Sequence, residues 1–116
     1  MSTMGCKIPK TLRIIGKDYI ITTNHKQGSV GECDDFKQEI NVDLDYPIQQ
    51  VHDTLLHEVI HAIDHAMKSK LSEEQVAATA TGLYAVFNDN PELLAWFTAK
   101  SSKKSKSWTK ISWGRC

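Results

Sequence analysis

The chain has 116 residues, 41% of them hydrophobic and 24% charged, with 14 basic against 14 acidic side chains, the profile of one soluble globular domain. No apolar run approaches the roughly 18 residues that span a bilayer, so a membrane-spanning helix is not expected. Three widely spaced cysteines (Cys6, Cys33 and Cys116) with no CxxC pair indicate neither a disulfide framework nor a cysteine zinc site.

The opening stretch MSTMGCKIPK has no apolar core of the kind a secretion signal needs, and with the cysteine usage it points to a reducing, cytoplasmic setting. KTLRIIGKDYIITTN alternates apolar and polar residues on both sides of Gly16-Lys17. It reads as a β-hairpin with strands near Thr11–Ile15 and Asp18–Thr23. HKQGSVGE is a turn-rich loop, and a third strand is expected near Phe36–Val42. From Pro47 onward no glycine or proline interrupts YPIQQVHDTLLHEVIHAIDHAMKSK. Ile48, Val51, Leu55, Val59, Ala62, Ile63 and Ala66 form the apolar stripe of a helix that ends near Lys68–Lys70. Ser72 with Gln75 makes a capping box for a second helix, whose stripe is Val76, Ala80, Leu83 and Phe87. Asn90 and Pro91 stop that helix and start another.

Six of the basic residues (Lys100, Lys103, Lys104, Lys106, Lys110 and Arg115) fall in the last 17 positions, where no acidic residue lies. Residues 1–99 therefore hold 8 basic and 14 acidic residues, a formal −6, and residues 100–116 form a basic Ser/Lys-rich tail. The expected fold is α+β: a small antiparallel or mixed three-stranded sheet packed on two successive helices.

The first helix carries His57, Glu58 and His61 as H-E-x-x-H. Residues four apart share a helix face, so both imidazoles can reach one zinc ion at about 2.0–2.1 Å. Glu58 lies beside that face, where it can take a proton from a water at an open coordination position. A catalytic zinc usually has three protein ligands. The candidates for the third are Glu73, Glu74 and His65. A straight helix cannot wrap three successive turns around one ion, which disfavours His65. The short KSKLS turn allows an antiparallel second helix to bring a glutamate back. Glu74 precedes Val76, Ala80 and Leu83 on that helix, and Glu73 shares a stripe with Val76 and Ala80. Asp64 can orient a ligand imidazole from behind, and Tyr84 can donate to a developing oxyanion. His25 and His52 carry no spacing signal and read as loop and surface residues.

TLLHEVIHAIDH, followed by LSEEQVAATATGLYAVFNDNPEL, resembles small zinc metallopeptidase-like proteins of phages and mobile elements, of the gluzincin type of zincin. The resemblance covers roughly residues 10 to 97. It implies a minimal zincin-like domain over residues 1–99 that hydrolyses peptide bonds with a zinc-activated water. His57, His61 and Glu74 (or Glu73) would be the ligands and Glu58 the general base. The strand around Phe36–Val42 would be the edge on which a peptide or protein substrate lies extended. The glycine and third histidine of the metzincin pattern are missing, since AIDHAM follows His61. Two other readings stand beside this one. A zinc-stabilised protein-binding module would ligate the ion fully with protein groups. A nucleic-acid factor would use the tail's cations and tryptophans, against which the acidic body argues.

Overall fold

The computed structural model describes residues 7–25 and 28–99. Four strands, β1 (Thr11–Ile14), β2 (Lys17–Thr22), β3 (Gly31–Asp34) and β4 (Glu39–Val42), precede α1 (Ile48–Met67), α2 (Glu73–Asp89) and α3 (Pro91–Thr98). The chain is thus α+β, and the basic tail lies outside the described residues.

The sheet has four strands rather than three, in the order β1-β2-β4-β3. It is mixed: β1 pairs antiparallel with β2, β2 runs parallel to β4, and β3 pairs antiparallel with β4. Of the strand expected over Phe36–Val42 only Glu39–Val42 is strand; Phe36 lies in a turn, and an additional strand, β3, precedes that turn. Asp34 Oδ1 accepts the backbone N–H groups of Phe36 and Lys37 at 3.0 and 3.1 Å, which folds the chain back and leaves Phe36 96% exposed. The sequence from Gly31, placed in a loop on its turn residues, is the second member of that hairpin. In consequence β4 lies inside the sheet, and the edge beside α1 is β3, not the strand before the helix.

The first hairpin turns one residue earlier than its glycine suggests. Ile14 pairs with Lys17, so Ile15 and Gly16 form the loop, at φ 45° and 82°. Both residues have the left-handed backbone that a two-residue hairpin needs, which is natural for Gly16 and strained for a β-branched isoleucine.

Helix α1 is the middle layer. One side packs Val51 and Ala62 against Ile14, Tyr19, Ile21, Ile40 and Val42 of the sheet. The other side packs Ile60 against Val76 and Ala80 of α2, with Leu56 and Leu71 at the margin. The expected stripe on α1 is only the sheet-facing one; Leu56 and Ile60 form a second stripe toward α2. Each fully buried aliphatic side chain contributes about 1.5–3 kcal/mol. Ile48, at the first position of α1, is 62% exposed, and Leu83 of α2 is 38% exposed, so both stripes fade at the same end of the pair.

Candidate metal centre

The two helices run antiparallel. Along α1 from its middle backward, His57 meets Glu73, Asp53 meets Thr81 and His52 meets Tyr84. The turn between the helices is held by Asp64, whose Oδ1 accepts Ser69 Oγ at 2.6 Å and the Leu71 N–H at 3.0 Å. Lys68 and Lys70 adopt left-handed backbone to make the reversal. Ser72 then caps α2, and the reciprocal Ser72–Gln75 bonds expected from the sequence are both present, at 3.1 and 2.8 Å. These local bonds fix where the first residue of α2 falls, and that residue is Glu73.

Glu73 faces both histidines. His57 Nε2 lies 2.8 Å from Glu73 Oε2, and His61 Nε2 lies 3.2 Å from Oε1. The imidazole centroids are 4.9 Å apart, and one ligand atom from each of the three residues lies within 4.8 Å of the others. Donor atoms held about 2.0–2.2 Å from a tetrahedral ion stand about 3.3 Å from one another, so this set fits zinc with a small opening of the His57–Glu73 contact. The Glu73 carboxyl is held below its usual range, first by the hydrogen bond from His57 and further by the His61 imidazole.

Glu58 points to the other side, toward the edge strand. Its residue is 7% exposed, and no hydrogen bond reaches its carboxylate among the described residues. Burial pushes its pKa up, against the opposing pull of His57 and His61. A buried carboxyl without a hydrogen-bonding partner is an expensive group, of the kind found where a proton must be taken up and released. The gap that admits it is made by Gly31. A Cβ at that position would stand 2.5 Å from Thr54 Cγ2 and 3.3 Å from both Asn41 O and Glu58 Oε2.

The three residues and Glu58 open on a cavity of about 470 Å³, also lined by Glu32, Cys33, Asp35 and His65. Asp35 organises its far wall: Oδ1 accepts the Tyr19 hydroxyl at 2.9 Å and the Cys33 thiol at 3.5 Å, and Oδ2 lies 3.4 Å from His65 Nδ1. Burial pushes the Tyr19 phenol up to about 12, aided by its bond to Asp35. Burial likewise raises the Cys33 thiol, with Asp35 and Glu58 adding to it, so Cys33 stays a neutral thiol.

Among the residues singled out from the sequence, His57, His61 and Glu73 come together, with Glu58 behind them. Glu74 does not join them: it is exposed and belongs to no such group among the described residues. The reason is helical phase, because Glu73 lies three and seven residues before Val76 and Ala80, the positions that α2 buries. Tyr84 is not at the site either. Eleven residues beyond Glu73 it lies about 16 Å farther along α2, where its hydroxyl is 3.1 Å from His52 Nδ1. His65 turns to Asp35 rather than to the histidine pair, and Asp64 is occupied by the turn. Gly31 and Asp35 carry no signal that marks them in the sequence beyond a single glycine among turn residues.

A second group, His25 with Asp43 and Asp45, lies in the segments that follow β2 and β4. The buried Asp43 accepts His25 Nδ1 at 2.5 Å and the Asp45 N–H at 2.9 Å, so it reads as a tie between two loops. The Asp45 backbone bond, with help from His25, lowers the Asp43 pKa. Comparison of the chain with protein-family models, with curated proteins and with solved structures finds no match.

Proposed function

We propose that this chain is a zinc-dependent metallopeptidase, with His57, His61 and Glu73 as ligands and Glu58 as general base. One observation carries the reading: a glutamate from a second helix meets both histidines of an H-E-x-x-H turn at 2.8 and 3.2 Å. Among the described residues the group offers three ligand side chains, which would leave a fourth position for water and favours a catalytic over a purely structural ion. Among the sequence readings, this count speaks for the enzyme and against the fully ligated binding module.

A bound zinc ion supplies a Lewis acid and brings the pKa of a coordinated water toward neutrality. The residues do the rest. Glu58, buried and without a hydrogen-bonding partner, accepts the water's proton as the peptide carbonyl is attacked and delivers it to the leaving amine. Asp64 and the Ser72–Gln75 box hold Glu73 in register. The edge strand β3 borders the cavity and supplies a ladder on which an extended peptide can be added. The zincin-like arrangement, a mixed sheet whose edge runs beside the H-E-x-x-H helix, belongs to this reading.

The test is metal content and peptide hydrolysis of the wild type beside Glu58→Gln. The variant should retain zinc and lose hydrolysis by a factor of about 10² or more. Hydrolysis that survives in Glu58→Gln removes Glu58 from its role, and a wild type that refuses zinc ends the reading.

A further inference from the structure

Three turns meet at one end of the molecule. β2 and β4 run parallel, so the turns that lead into them, Ile15 with Gly16 and residues 35–38, lie at the same end of the sheet. The C-terminal end of α1 is there too, because His65 Nδ1 stands 3.4 Å from Asp35 Oδ2. Each turn presents one large apolar side chain to solvent: Ile15 is 55% exposed, Phe36 96% and Met67 61%. Each is followed within two residues by an exposed lysine, Lys17, Lys37 and Lys68, with Lys70 just beyond. None of these lysines has an ion pair among the described residues, and no acid lies within residues 15–17, 36–38 or 67–70. The acids set behind the tips are engaged. Asp18 pairs with Arg13 at 2.8 Å, Asp34 accepts the Phe36 and Lys37 N–H groups, Asp35 takes Tyr19 and His65, and Asp64 holds the helix turn. The fold itself asks for neither Ile15 nor Phe36. The left-handed backbone at position 15 disfavours a β-branched residue, and Asp34 makes the other turn through the Phe36 backbone, whatever its ring.

We propose that this end of the molecule docks on an anionic lipid surface, the three apolar side chains entering the interface and the four lysines meeting the headgroup phosphates. Scattered exposed apolar residues are ordinary, but three gathered at one end, each beside a lysine, match what a charged interface takes: apolar area buried at the headgroup boundary and cations at its surface. The lysine stems add to the apolar contact while their ammonium groups stay with the phosphates. A fluid interface admits three separate protrusions without offering a matched pocket for each, which favours lipid over a protein partner. Residues 1–99 carry a formal −6, so the same surface repels the rest of the body and turns this end toward it. Asp35 and His65 also line the cavity of the candidate metal centre, so docking would hold that cavity near the lipid. The proposal is independent of the metallopeptidase reading.

The test is co-sedimentation of the full chain with vesicles of phosphatidylcholine alone and of phosphatidylcholine mixed with phosphatidylglycerol, at low and at high salt. Wild type should bind the anionic vesicles at least about tenfold more tightly at low salt, with the gap closing at high salt. Ile15→Asn combined with Phe36→Ser should weaken that binding by about tenfold or more. Asparagine suits the left-handed turn, and Phe36 is almost wholly exposed, so this variant keeps its fold, which its Tm verifies. Lys17→Gln, Lys37→Gln and Lys68→Gln together should weaken anionic binding by a similar factor and flatten its salt dependence. The six cations of residues 100–116 also attract anionic lipid, so a full chain with all six changed to glutamine is measured beside these. Binding that is lost there and untouched in the Ile15/Phe36 variant assigns the lipid to the tail and overturns the proposal. A wild type that binds neither vesicle, which leaves this face to a protein partner, overturns it, as does equal binding to both vesicles.

Discussion

Gly31→Ala probes the contact on which the site's geometry turns. The added methyl would meet Thr54 Cγ2 at 2.5 Å, where carbon atoms prefer about 3.5–4.0 Å. It would also press on Asn41 O, a backbone atom of the interior strand β4, and on Glu58 Oε2, both at 3.3 Å. Thr54 and Glu58 are four residues apart on α1, so both lean on the same point of β3. The Thr54 methyl can yield only by rotating its side chain, and the Asn41 carbonyl cannot yield without moving the sheet. Overpacking of this kind costs about 1–3 kcal/mol, and alanine's smaller unfolded-state freedom returns about 0.4–1 kcal/mol. A net loss of roughly 1–2 kcal/mol follows, or a fall in Tm of at least ~4 °C for a domain of this size. Urea unfolding in the presence of a chelator, followed by circular dichroism, should show a lower midpoint with an unchanged slope. Thr54→Ser deletes the clashing methyl and keeps the hydroxyl. Combined with Gly31→Ala it should recover about half of the loss, a coupling within the range of touching residues. A Gly31→Ala protein within ~0.5 kcal/mol of wild type refutes the reasoning, as does a double variant that recovers nothing.

Glu73→Gln should weaken zinc binding by more than the 10–100-fold that removal of a supporting group produces, while Glu74→Gln stays near wild type; chelator competition measures both, and the reverse ranking would reinstate Glu74. In metal-free protein, Glu58→Gln should raise Tm at neutral pH. Burial raises the Glu58 pKa, so its charged form destabilises the fold once pH passes the unfolded value of 4.5. The advantage of the variant should vanish as pH falls below that value, and a pH-independent difference would show that ionisation is not its cause. Tyr84→Phe should leave zinc affinity and any hydrolysis unchanged and lower stability by no more than about 0.5–1.5 kcal/mol through the lost His52 contact; a selective fall in kcat would bring Tyr84 back to the chemistry.

The amino-acid sequence alone determined whatever is set within a few residues. The H-E-x-x-H turn follows from helical period, the start of α2 from the Ser72–Gln75 box, and the first hairpin from alternation around Gly16. Each involves bonds between near neighbours, which a residue pattern records. Tertiary structure decided everything that depends on rotation or on distant contact. Which of Glu73 and Glu74 meets the two histidines is a difference of 100° around α2, set by which face Val76 and Ala80 bury against Ile60. The shortening of the strand expected over Phe36–Val42 to β4, with β3 added before it, came from Asp34 accepting the Phe36 and Lys37 N–H groups, which overrode the strand-like look of Phe36. Gly31 and Asp35 came beside the helix residues only when β3 was laid along α1, where Gly31 meets Thr54 and Glu58 and Asp35 meets His65, 23 to 30 residues on in the chain. Packing of that kind depends on the shapes of both partners at once, and no single stretch of sequence contains them.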